Sequence, residues 1–153
     1  MKRAFGDAWY FLALLNPRDA HHPRAAAFSQ TWRGEITTTR WILAEVADGL
    51  AGDFRLRALA GDFLRHCDAH PSLRVVPVGE EQFTRGLDLY RERPDKHWSL
   101  TDCISLVVME QESLREALTT AKAYVQLSAV TATVTALVPL AIDEFPVFFI
   151  AAA

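Results

Sequence analysis

The chain of 153 residues predicts one α/β domain built on a central, mostly parallel sheet flanked by helices. Three observations predict it. Short apolar or β-branched segments ("RAFG", "EITTT", "LRVVPV" and "EALTT") alternate with longer segments of helical spacing. No Gly/Ser-rich linker divides the first 125 residues. Half the residues are hydrophobic and 23% are charged, a composition that supports a packed core and excludes a disordered chain.

Taken in order, "RAFG" is a first strand ending at Asp7, and "WYFLALLN" a short helix stopped by the turn signal "NPRD". His21 to Trp32 reads as a helix with Pro23 in its first turn. After "EITTT", Ile42, Val46 and Leu50 recur every four residues, the stripe of an amphipathic helix that breaks at "AGD". "DFRLRALAGDFLRHC" is the next helix, and "LRVVPV" the third strand. In "EEQFTRGLDLYRER" two acids open the helix, favourable for its dipole, and Phe83, Leu87 and Tyr90 are expected on its packed face. "SLTDCISLVVMEQ" is apolar nearly all round and is expected to be a buried helix, with Thr101 as a cap that also steadies Asp102. "EALTT" completes the sheet. Parallel sheets of this kind bind ligands beyond the carboxyl ends of their strands, where Asp7 falls.

The formal net charge of -3 supplies no bulk attraction for a nucleic acid, so a polyanionic substrate has to be held locally. Two cysteines, Cys67 and Cys103, are too few for a disulfide framework, and a cytoplasmic setting is expected. Asp7 interrupts the apolar N-terminal stretch, so no secretory leader is expected. Three acids stand in apolar surroundings: Asp7, Glu45 and Asp102. Singly, each has a plain explanation as a turn residue, a solvated helix residue or a helix cap. Converging at one rim they would repel one another unless a cation neutralised them, and such hard oxygen donors select Mg²⁺ or Mn²⁺. The histidines have no metal-ligand spacing with the cysteines, and Cys103 reads as core.

The blocks "FGDAWYFLALLNPRDAHHPRA", "TTTRWILAEVADGLA" and "RPDKHWSLTDCISLVVMEQESLREALTT", in that order, resemble a PIN-domain protein of the VapC-like branch of toxin–antitoxin toxins. The resemblance covers about residues 3 to 125 and implies a PIN-like three-layer fold. It also implies a ribonuclease that uses Mg²⁺ or Mn²⁺ to activate the water that cleaves RNA, a cognate antitoxin that blocks the cleft, and a homodimer. Asp7 matches the first acid of the family's quartet, Glu45 the second and Asp102 the third; the fourth position is Ala121. Asp95 is a candidate to compensate, and Thr101 to support the metal shell. Where the family has Ser or Thr after the first acid, this chain has Ala8. These departures support an alternative, a catalytically impaired domain that binds RNA or a partner protein. The division expected is a nuclease-like domain over 1–125 and an atypical apolar tail over 126–153, read as an extra strand and helix or as the product of a shifted frame. Polar residues such as Gln126, Thr131 and Thr133 make a membrane span the less favoured reading of that tail.

Overall fold

A computed structural model describes residues 2–119. The 126–153 tail, the domain boundary at 125 and Ala121 lie outside the described residues. The elements run β1 (Arg3–Gly6), α1 (Ala8–Leu15), α2 (His22–Thr31), β2 (Glu35–Thr39), α3 (Arg40–Leu50), α4 (Phe54–His66) and a 3-10 turn (Cys67–Ala69). After these come β3 (Leu73–Val76), α5 (Glu80–Glu92), α6 (Leu100–Gln111) and β4 (Ala117–Leu118).

Local chemistry explains most of these boundaries. Asn16 precedes Pro17, a position that disfavours helical backbone, and α1 stops at Leu15. The Thr39 hydroxyl accepts from the Ile42 amide at 3.2 Å and caps α3. Asp53 accepts from the amides of Arg55 and Leu56 at 2.9 and 3.1 Å and caps α4. Pro77, which has no amide hydrogen, follows the last residue of β3.

The four strands are all parallel, in the order β3-β2-β1-β4. The chain steps outward from β1 through β2 to β3, and β4 then returns to the other side of β1. The strand order therefore reverses between β1 and β4, the place where open parallel sheets form a crevice. Helices cover both faces. An added Cβ at Gly6 would lie 2.7 Å from Ile36 Cγ2 and 2.9 Å from the Phe11 ring, so glycine lets α1 sit directly on one face. On the other face lies α6, all of whose residues from Cys103 to Met109 are buried, with α5 packed on it. Phe5, Ile42, Leu43, Val46, Ile104, Val108 and Leu118 are at most 2% exposed and form the centre of the core. Among the described residues no helix is long and apolar enough to cross a membrane.

One expectation about α5 is corrected. Tyr90 is 49% exposed, while Gly86 is buried and Leu89 packs on the core. The contact line is rotated because Gly86 brings the α5 backbone itself against Ile104.

The end of the sheet opposite the crevice is tied by ions. Arg3 donates to Glu35 at 3.1 Å and to Glu112 at 3.0 Å, and Arg74 holds both Glu112 oxygens. These arginines hold the Glu112 carboxyl below its ordinary 4.5. A depressed carboxyl contributes stability above its unfolded value that is lost as pH falls through the folded value. Glu112→Gln is expected to lose about 1 kcal/mol at neutral pH, because solvent partly screens these pairs. Urea melts should show that loss vanishing in acid.

Candidate active site

Asp7 follows β1 at the reversal point. Its amide donates to the Leu118 carbonyl of β4 at 3.3 Å, which draws the two strand ends together. The side chain is only 6% exposed. Its Oδ1 accepts from the Ala8 amide at 2.8 Å, capping α1, and its Oδ2 accepts from the Thr119 hydroxyl at 2.5 Å. Burial pushes this carboxyl up to about 6 despite those two donors, and repulsion from Asp102 and Glu45 adds to the rise.

Glu45 sits on α3 beside the packed stripe and is half-buried. Its carboxyl is raised mainly by burial, opposed by a hydrogen bond from Thr101, with repulsion from Asp102 and then Asp48 adding to it. All three pairs among Asp7, Glu45 and Asp102 thus repel one another, so the fold brings three acids distant in sequence into one electrostatic neighbourhood.

Asp102 enters from the first turn of α6. Its Oδ2 accepts from the Ser99 amide at 2.8 Å, and the Ser99 hydroxyl accepts from the Asp102 amide at 3.0 Å. This reciprocal box makes Ser99 the cap, which corrects the expectation for Thr101. Thr101 stands two residues inside the helix, where its hydroxyl serves Glu45 instead. Ser99→Ala is accordingly expected to cost about 1 kcal/mol in chemical denaturation. Thr101→Ala should cost less.

Asp95 is taken up elsewhere. Arg93 grips both its oxygens at 2.9 Å, Lys96 lies 3.5 Å away, and these cations hold its carboxyl below the usual range. It is not among the charges acting on Asp7 or Glu45. Trp98 is buried beneath the same loop, with the Arg93 guanidinium 5.3 Å from its ring centre. Cys103 is buried, and burial followed by the Asp102 charge pushes its thiol up to about 11, which suits a core residue and not a nucleophile.

The acid set fits a hard dication in donor chemistry and in charge, since a cation would offset the repulsion that raises Asp7. As the side chains stand, among the described residues no three His, Cys, Asp or Glu form a ligating group. Each carboxylate is turned onto a neighbouring hydroxyl or amide. Sequence reading missed Thr119 and Ser99. The signal for Ser99 was present, because Ser followed three residues later by an acid is a capping pattern. Thr119 gave none, since its partner Asp7 is 112 positions away.

A small parallel sheet in the order β3-β2-β1-β4, with helices packed on it, is a PIN-like three-layer α/β fold. No family model and no curated protein matches the sequence. Solved structures share the fold. VapC20 of Mycobacterium tuberculosis, a sarcin-ricin loop cleaving toxin, is similar with a TM-score of 0.72 at 19% identity, over 84% of this chain and 95% of that one. A chain of a toxin–antitoxin complex from Klebsiella pneumoniae is similar with a TM-score of 0.55 at 18% identity, over 78% of this chain and 87% of that one. These likenesses establish the fold.

Proposed function

We propose that this chain is a metal-dependent ribonuclease of the toxin–antitoxin kind. The observation that carries the reading is the buried Asp7 at the reversal point, its acidity set by burial and by Asp102 and Glu45. Asp7, Glu45 and Asp102 would hold Mg²⁺ or Mn²⁺, and Thr101 and Thr119 would orient Glu45 and Asp7. When bound, the ion supplies an acidified water and neutralises charge at the phosphate. The toxin neighbours support an antitoxin that covers the crevice, and a homodimer completes the proposal.

The test is cleavage of a loop-containing RNA by the full chain with Mg²⁺ or Mn²⁺. Asp7→Asn and Asp102→Asn are expected to slow it by roughly 100-fold or more, given that even outer-shell changes cost tenfold to a hundredfold. Equal rates in all three proteins would exclude the mechanism.

A second reading, RNA or protein binding with impaired catalysis, is favoured by Ala8 and by the hydrogen bonds that already engage both Asp7 oxygens. It expects RNA bound but uncut and weak Mn²⁺ binding in calorimetry, with Ala121→Asp restoring cleavage.

A further inference from the structure

A single apolar side chain in water is ordinary, and it gains meaning only from what stands beside it. Trp41 is such a side chain, 40% exposed in the first turn of α3. Its ring centre lies 5.6 Å from that of Phe83 at an interplanar angle of 34°, so the pair spans from α3 to α5. Trp41 precedes Glu45 by four residues, which places the two side chains one turn apart on the same helix face. Asp48, whose charge also acts on Glu45, continues that face. Thr39, the last residue of β2, lies two residues before Trp41, so the indole stands at the carboxyl end of the sheet, as Asp7 does. Trp98 is buried and Phe54 opens α4 beyond the far end of α3, so neither offers an aromatic face beside Glu45. With a net charge of -3, affinity for RNA has to come from local contacts of this kind.

We propose that Trp41, backed by Phe83, is a stacking platform for one unpaired base of the RNA, on the Glu45 side of the crevice. This rests on the reading of the crevice as an RNA site. Stacking uses a ring face common to all bases, needs the base to be out of a duplex, and is indifferent to net charge. Trp41 is thus a substrate-positioning residue that selects single-stranded or looped RNA.

The test is fluorescence anisotropy of the full chain with a short labelled single-stranded RNA, and with its blunt duplex, in EDTA so that nothing is cut. Trp41→Leu keeps apolar bulk against Phe83 but lacks a ring, and it is expected to weaken single-strand binding about tenfold or more. Trp41→Phe should restore most of it, Phe54→Ala should change nothing, and duplex binding should not respond to any of the three. If the unaltered chain binds no RNA in EDTA and cuts none with Mg²⁺, the ribonuclease reading and this one fall together. If it cuts RNA with Mg²⁺ yet binds none in EDTA, this inference alone is overturned. If it binds RNA and Trp41→Leu binds equally well, this inference alone is overturned. Equal losses on single strand and duplex overturn stacking. Normal RNA binding by Trp41→Leu with loss of a protein partner would reassign the surface to that partner.

Discussion

Asp7→Asn is expected to make the protein more stable than the unaltered chain at pH values above about 6 while slowing the proposed cleavage by roughly 100-fold or more. The unfolded chain releases the Asp7 proton near 3.8, whereas the folded chain keeps it until about 6. Between those values the folded state binds more protons, so each rise in pH costs stability, and above about 6 the whole penalty is present. At about 1.4 kcal/mol per pH unit, the penalty approaches ~3 kcal/mol. Asparagine removes the charge and keeps the contacts: its oxygen still accepts from Ala8, and its amide donates to the Thr119 hydroxyl, which rotates to accept. Thermal melts should show Asp7→Asn ahead by roughly 5–10 °C at mildly alkaline pH, with the gap closing below about pH 4. A melting point equal to or below that of the unaltered chain at alkaline pH would contradict the electrostatic account. Added Mg²⁺ or Mn²⁺ is expected to raise the melting point of the unaltered chain and to leave Asp7→Asn where it was, because a bound ion stabilises only the chain that holds it.

The second large effect is expected at Gly86. Judged by helix propensity, Gly86→Ala in the middle of α5 should stabilise by ~1 kcal/mol. The packing says otherwise. A Cβ there would fall 2.5 Å from Ile104 Cγ1 and 3.0 Å from the Ile104 amide nitrogen and Cα. Ile104 is fully buried, and helix backbone cannot swing aside as a side chain can, so α5 would have to lift off α6. Overpacking of this kind costs typically 1–3 kcal/mol, and separating the two helices over their length adds to it. A net loss of ~2 kcal/mol is expected in chemical denaturation. Gly61→Ala is the control: an added Cβ there meets nothing within 4 Å, and the same propensity argument should hold unopposed. If Gly86→Ala proves as stabilising as Gly61→Ala, the close approach of α5 to α6 is wrong.

These two residues mark the limits of what can be read along a chain. The alternation of short β-branched segments with helical spacings located the four strands and six helices of the described residues, because backbone propensity and hydrophobic period are local properties. The burial of α6 was equally legible, since a helix apolar all round can satisfy itself only inside the core. The α5 face was misread at Tyr90 because a glycine carries no hydrophobic signal, yet Gly86 decides where the backbones touch. Along the chain Thr101 is as plausible a cap for α6 as Ser99, whereas the hydrogen bonds select Ser99, three residues before Asp102.

By itself, then, the sequence of this protein determined the α/β class, the order of its elements and the three acids that apolar surroundings single out. Pairing across the sheet decided the rest. Only the return of β4 beside β1 creates the reversal point and sets the Thr119 hydroxyl on Asp7. Only the packing of α3 and α6 around that point lets Glu45 and Asp102 add to the rise that burial gives the Asp7 carboxyl, and only the placing of α5 beside α3 sets Phe83 against Trp41. The physical reason is range: propensity acts over a turn or a strand, whereas desolvation and charge repulsion act through space, between residues that only the folded chain makes neighbours.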